Sequence, residues 1–236
     1  MRKILTSLSV LALSVGMASA GGKLAVPTEP VVAAPAPMVY DWSGGYAGFG
    51  LNYGRASYRV DGDSDDFWPS GSGFGIGGFI GHNWQNGNIV YGLEGHLSGH
   101  RMRGSRDFDA GQGVIQTVRT NLRSLASLRG RVGVAQDRTL FFLTAGPAIG
   151  SVRHNATFSD ESGTLAAWSE SRSVSGLMIG AGIEHALAGG WHIRGDLEHY
   201  RFRGRDFNTF DSDPGPDFPN VRTRVNLARI SAVFRF

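Results

Sequence analysis

The stretch Gly95-His96-Leu97-Ser98-Gly99-His100 sets an imidazole two residues from a hydroxyl. A base beside a hydroxyl is how a serine nucleophile is activated. In an extended chain, residues two apart share a face, so His96 and Ser98 point the same way, together with Glu94. A second candidate, Asp61-Gly62-Asp63-Ser64-Asp65-Asp66, spaces carboxylates like the start of a calcium loop. Its sixth position is Asp66 rather than glycine and its twelfth is Ser72 rather than glutamate, so the EF-hand pattern fails and a solvated loop is the better reading. Asp211 to Asp217 reads the same way. The run His100 to Arg106 offers Arg101, Arg103 and Arg106 either to phosphates, through forked contacts, or to water as a polar rim. The largest set joins both signs of charge: Glu94, Arg129, Arg131, Glu184, Arg194, Asp196, Glu198 and Arg229. No phosphate loop, catalytic triad or clustered metal-ligand motif occurs, and no cofactor or metal is implied.

The elements that hold these residues follow from composition and period. Met1-Arg2-Lys3, an apolar stretch from Ile4 to Val15, and Ala18-Ser19-Ala20 form the three parts of a secretory signal peptide. Residues 1–20 are therefore expected to be removed after Ala20. Residues 21–40 carry Pro27, Pro30, Pro35 and Pro37 and read as an extended Pro/Ala-rich leader in the periplasm. Removing Arg2 and Lys3 from the 23 basic side chains leaves 21 against 20 acidic ones, a formal charge of +1. A nucleic-acid partner is not supported by that balance. There are no cysteines, so neither disulfides nor thiolate metal sites hold the fold.

From Asp41 onward the hydropathy alternates with period two, and residues 41–236 read as one all-β domain. Eight strands are expected at roughly 45–57, 73–84, 88–98, 118–134, 139–151, 173–185, 191–202 and 224–236. Tight turns at 85–88, 135–138 and 186–190 alternate with long polar stretches near 58–72, 99–117, 152–172 and 203–223, where His100 falls in a loop. This order predicts an eight-stranded antiparallel up-and-down transmembrane β-barrel, with short periplasmic turns, long external loops and both termini at the short-turn end.

The faces decide which way the barrel is turned. Ile89, Tyr91, Leu93 and Leu97 alternate with Glu94, His96 and Ser98. Leu122, Ser124, Ala126, Leu128, Val132 and Val134 oppose Arg123, Arg129 and Arg131. Trp191, Ile193, Leu197 and His199 oppose His192, Arg194, Asp196 and Glu198. Three features put the apolar faces outward. Aromatics (Trp84, Phe141, Trp191, Phe234, Phe236) lie near the turns, as in an interfacial girdle. Glycines stand beside bulky charges on the other face, with Gly182 expected opposite Arg194 and Gly180 opposite Asp196. Closure also leaves no unpaired edge in lipid. The mixed charges then fill the lumen as ion pairs, since an eight-stranded interior is just wide enough for side chains. Glu94 is expected to pair with Arg129 or Arg131.

The chain ends Ile230-Ser231-Ala232-Val233-Phe234-Arg235-Phe236, which resembles the C-terminal signal by which bacterial outer-membrane barrels are recognised for assembly, with Phe234 and Phe236 as its aromatic residues. The blocks "DWSGGYAGFGLNYG" (41–54), "GHNWQNGNIVYGLEGHLS" (81–98), "SLRGRVGVAQDRTLFFLTAGPAIG" (127–150) and "GAGIEHALAGGWHIRGDLEHYRF" (180–202) are similar to the outer-membrane β-barrel family of alphaproteobacteria. Its members are often labelled porin-family or immunogenic outer-membrane proteins. The resemblance implies a small eight-stranded barrel, and the chain departs from it at His82, His185 and His199, where tyrosine is common. It implies location in the cell outer membrane, contact with outer-membrane lipid and lipopolysaccharide, and the barrel assembly machinery as a partner during biogenesis. The role expected is structural and surface-interacting, and not enzymatic. A narrow diffusion pore is the alternative, ahead of a secreted soluble carrier. A lipid A-modifying enzyme is a further reading, because some small barrels deacylate lipid A with a His-x-Ser pair that His96 and Ser98 superficially match. Such an enzyme needs that pair facing lipid, whereas here it shares the face of Glu94.

Overall fold

The computed structural model describes residues 40–59, 69–109, 111, 113–203, 205–207 and 218–236. The signal peptide expected at 1–20, the leader expected at 21–40 except for residue 40, and the acidic runs at 61–66 and 211–217 lie outside the described residues. Among the described residues nine strands form: β1 (Gly44–Arg59), β2 (Gly71–Asn86), β3 (Ile89–Asp109), β4 (Ile115–Gln136), β5 (Thr139–Asp160), β6 (Gly163–Ala186), β7 (Trp191–Phe202), β8 (Arg205–Phe207) and β9 (Phe218–Arg235). Neighbours pair antiparallel in the order β1-β2-β3-β4-β5-β6-β7-β9, and β9 returns to β1, so these strands close a ring. The short β8, which periodicity does not reveal, pairs with β9 beyond the end of β7.

The turns explain the register. Gly87 (φ 61°) and Asp137 (φ 50°) take the left-handed conformation in the turns Gly87-Asn88 and Asp137-Arg138. Glycine does so freely, and aspartate is among the few other residues that tolerate it. The third turn spends two such glycines, Gly189 (φ 66°) and Gly190 (φ 78°). It therefore spans Leu187 to Gly190, and its hairpin pairs Gly182 with Asp196, Glu184 with Arg194 and Gly180 with Glu198. This corrects the expected Gly182–Arg194 and Gly180–Asp196 pairing.

Two of the external stretches are built as ladder. The β3–β4 hairpin runs out to Asp109 and Ile115, and the β5–β6 hairpin to Asp160 and Gly163. His100 is thus a strand residue, not a loop residue. These segments are polar by composition, yet their inward positions, Met102, Val118, Leu122 and Val152, are buried and pack together. Period two survives there, although mean polarity hides it.

A bulge corrects one strand face. β4 matches β5 at Leu122–Val152 and Ser124–Ser151, so Arg123 is the extra residue. An extra residue reverses the side to which all following positions point. Below the bulge, Leu128 and Val132 face outward as expected. Above it, Leu122 is buried and Arg123 is exposed, the reverse of the alternation read from sequence.

Elsewhere the faces separate cleanly. Leu93 is 55% exposed and its neighbour Glu94 1%. Phe49, Phe74, Ile80, Leu143, Leu177, Leu197 and Ile230 share the outward surface with Leu93. Along the apolar belt, charges point in and apolar side chains point out, the opposite of a soluble carrier barrel. Trp84, Tyr91, Phe141, Trp191, Phe234 and Phe236 lie outward at the short-turn end.

Candidate functional site

The interior is layered. At the short-turn end, Trp42 is fully buried against Val90, Ala135, Leu140, Phe142 and Ala186, with Tyr40 packed on the cluster. The Trp42 backbone N–H donates to Gln85 Oε1 at 2.6 Å. The Arg235 guanidinium lies 5.6 Å from the Trp42 ring centroid and donates to the Ser43 carbonyl at 2.5 Å. The chain entering β1 is thereby folded into the mouth of the ring and fastened to the last strand. Sequence reading missed this role. The signal for it was Trp42 beside Tyr40, two large aromatics ahead of a Gly-rich strand.

The middle layer holds all eight charged residues singled out from sequence, each 5% exposed or less. Arg194 donates through Nε and Nη2 to Asp196 Oδ1 at 2.9 and 2.8 Å, and through Nη1 to Glu94 Oε2 at 2.5 Å. Arg129 Nη1 donates to Glu198 Oε1 at 2.7 Å and stands 3.6 Å from Glu94 Oε1. Arg229 Nη2 donates to Glu198 Oε2 at 2.9 Å, and Arg131 Nη2 to Glu184 Oε2 at 2.5 Å. The principal partner of Glu94 is therefore Arg194. Arg129 is the cross-strand neighbour of Glu94 but extends to Glu198 across the lumen.

Neutral groups extend this network. The Tyr46 hydroxyl donates to Glu94 Oε2 at 3.1 Å, and the Tyr200 hydroxyl donates to Glu198 Oε2 at 2.8 Å while accepting from Arg129. His192 Nδ1 stands 2.7 Å from Glu184 Oε1, and its Nε2 is 2.9 Å from the Tyr40 hydroxyl. An Nδ1–H tautomer satisfies both contacts, since the carboxylate only accepts. The Phe142 ring lies 3.8 Å from the Arg131 guanidinium and 4.7 Å from that of Arg194. That ring explains Gly182: a Cβ there would come within 2.3 Å of Phe142 Cζ. Glycine makes room for an aromatic platform under two arginines rather than for an arginine itself.

Beyond the charges, toward the long-loop end, a second apolar cluster fills the ring. It includes Met102, Leu122, Leu125, Val152, Met178, Phe202 and Leu227, all buried. The charged layer lies between this cluster and the Trp42 cluster. Four arginines meet four carboxylates, so its formal charges cancel. Arg194 and Arg129 are held by several contacts each, whereas Arg131 and Arg229 donate through Nη2, and their Nε and Nη1, with Asp196 Oδ2, have no hydrogen-bond partner among the described residues.

The hydroxyl–imidazole pair also points inward. Ser98 Oγ is 2.8 Å from His100 Nε2, whereas neither ring nitrogen of His96 has a partner among the described residues. His100 Nδ1 likewise has no acceptor among them to orient the ring as a base. Ser98 is 2% exposed and faces the lumen. Arg101, Arg103 and Arg106 are exposed on the outer part of β3. Among the described residues no group of three or more His, Asp or Glu side chains is placed to hold a metal ion.

Comparison with known proteins places this geometry. The family model described as an outer membrane protein beta-barrel domain matches residues 25–236. The 31 kDa outer-membrane immunogenic protein of Brucella melitensis is 29% identical over 224 residues, covering 89% of this chain and 91% of that one. The 22 kDa outer membrane protein of Rhizobium leguminosarum bv. viciae is 34% identical over 184 residues, covering 77% and 73%. Among solved structures, Neisserial surface protein A is similar over 82% of this chain and 98% of its own, with a TM-score of 0.43 and 14% identity.

Proposed function

The chain belongs to the outer-membrane β-barrel protein family and lies in the outer membrane, and from that premise we propose that it is a non-conducting, non-enzymatic barrel that presents its extended outer hairpins at the cell surface. The observation that carries this reading is the layered interior, in which a cancelled charge network is capped by apolar side chains at both ends. An ion crossing that lumen would have to break several buried, charge-assisted hydrogen bonds and shed its hydration beside Trp42 or Leu122. Taking charge out of water without compensation costs several kcal/mol per ion. Wide pores use 16 to 18 strands, whereas eight leave room only for side chains. Against the diffusion-pore reading, the Trp42 cluster, the paired charges and the Leu122 cluster follow one another through the lumen among the described residues. The acylhydrolase reading needs a reactive pair facing the bilayer, and Ser98 and His100 face the lumen. The aromatic end, Phe234 and Phe236, is read as the element engaged by the assembly machinery.

The sidedness is tested with cysteines, of which the native chain has none. Ser162→Cys at the β5–β6 tip should react with a membrane-impermeant maleimide on intact cells. Asp137→Cys in the β4–β5 turn should react only after the outer membrane is permeabilised. Labelling of Asp137→Cys alone on intact cells would reverse the orientation and end the surface role.

A further inference from the structure

The outward rows do not end alike at the two ends of the barrel. At the short-turn end they finish in aromatics and uncharged polar groups: Trp84, Phe141, Trp191 and Phe234, with Thr139 and His185. At the long-loop end the last outward apolar residues are followed by arginine on one strand after another. Arg55 follows Tyr53 on β1, Arg101 follows Leu97 and Gly99 on β3, and Arg153 follows Ile149 and Ser151 on β5. Arg201 follows Leu197 and His199 on β7, Arg224 precedes Asn226 and Ala228 on β9, and Arg123 is thrown outward by the β4 bulge. Only β2 and β6 end instead in serine, at Ser72 and Ser175.

This collar is not neutralised within the described chain. The ion pairs among the described residues lie in the lumen, apart from Arg172 with Glu170, and none involves these six arginines. Arg153 donates to the hydroxyl of Ser171 at 2.8 Å, which supplies no charge. Arg201 and Arg224 are direct cross-strand partners on the β7–β9 seam. Like charges placed opposite each other in a ladder are destabilising. In the β3–β4 bulge, Arg101 and Arg123 are brought to the same break in register. A fold that sets arginines side by side at one level, next to a lipid-facing belt, is matched to an anion held at that level. Guanidinium forks fit the oxygens of a phosphate two at a time.

We propose that the arginine collar at the outer rim binds phosphate groups of the surrounding outer-leaflet lipid, with one phosphate bridging Arg201 and Arg224 across the β7–β9 seam. The occupant is a phosphorylated lipid headgroup rather than a free anion. The collar continues the outward apolar rows without a gap, so acyl chains on Leu197, Ala228 and Ile230 bring a headgroup to Arg201 and Arg224. Lysine would supply charge without the fork, and no lysine occurs in the sequence beyond Lys23.

The test is thermal unfolding of the refolded mature chain in mixed micelles, read by loss of the folded band's gel mobility. The probes are a diphosphorylated lipid A, the same lipid stripped of phosphate, and inorganic phosphate. The phosphorylated lipid should raise the midpoint by roughly 5–10 °C when it is about 100-fold above its dissociation constant. Neither the stripped lipid nor inorganic phosphate should do so. Arg201→Gln with Arg224→Gln should remove most of that rise while leaving the lipid-free midpoint no lower than wild type. Arg138→Gln, in a short turn, should keep the full rise. If the double variant fails to refold, Arg201→Gln alone should lose at least half of the shift. An equal rise with stripped lipid, an equal rise with inorganic phosphate, or an undiminished rise in the arginine variants would overturn the proposal.

Discussion

Glu94→Gln probes the charged layer most directly, because the replacement keeps the side chain's shape. In the wild type, Glu94 accepts from Arg194 Nη1 and the Tyr46 hydroxyl and stands 3.6 Å from Arg129 Nη1. Glutamine retains one accepting oxygen but turns an amide toward guanidinium donors, and it removes one negative charge from a layer that was neutral. Breaking a buried ion pair by removing one partner costs about 3–5 kcal/mol. Arg194 keeps Asp196 and Arg129 keeps Glu198, so the loss should fall near the lower end, about 3 kcal/mol. Arg194→Gln alone should cost a similar amount or more, because it strips Asp196 as well as Glu94. The double variant should cost less than the sum, with a coupling of about 2 kcal/mol, within the range for groups in one network. Arg131 bonds Glu184 instead, so Arg131→Gln should couple to Glu94→Gln by less. Urea unfolding of refolded protein, followed by tryptophan fluorescence, supplies all the free energies. Strict additivity of Glu94 with Arg194, or a larger coupling with Arg131, would show that the contacts do not carry the energy assigned to them.

Leu93→Arg places a charge on the lipid face beside an untouched Glu94 and should cost about 2–4 kcal/mol in vesicles; a tolerated arginine would invert the assignment of faces. Phe236→Ser should change the refolded barrel's stability by under about 1 kcal/mol, since the ring is 73% exposed and only its edge covers Gly45. The same variant should sharply lower assembled barrel in cells, and unchanged membrane levels would refute its reading as an assembly signal. His154 lies above the lipid belt on β5, against Thr120 and Tyr58, and burial lowers its pKa from 6.5 to about 4. The unfolded chain therefore binds the proton first, so stability is full above about pH 6.5 and falls between there and pH 4, by at most about 3 kcal/mol. His154→Leu should remove that part of the pH dependence in hydrogen exchange of the β5–β6 hairpin; an identical slope in both proteins would contradict it.

Much of this was legible because a membrane barrel writes its faces into alternate residues. Leu93 with Glu94, or Leu197 with Glu198, leaves little choice once the outward face is known. Partnerships inside the lumen were not legible. Cross-strand pairing sets Arg129 beside Glu94, but an arginine reaches across a narrow ring, and the opposing strand's register depends on Gly189 and Gly190. The phase of β4 above Arg123 was hidden for a related reason. A one-residue bulge keeps the composition and reverses the faces, so Leu122 read as lipid-facing until its partners in β5 were known. Trp42 and Tyr40 were unread as a stopper because they precede the first strand and carry no periodic signal. The outer halves of β3 to β6 looked like loops because their outward positions are arginine, serine and threonine, while the inward Met102, Val118 and Val152 are diluted among them.

Single-channel recording of refolded residues 21–236 in a planar bilayer puts the closed lumen to the test. With Trp42, the paired charges and the Leu122 cluster stacked along the axis, the membrane should stay at baseline conductance at neutral pH after insertion is verified. Reproducible unitary steps, growing in number with the amount of protein inserted, would show that the stack opens and that the lumen conducts.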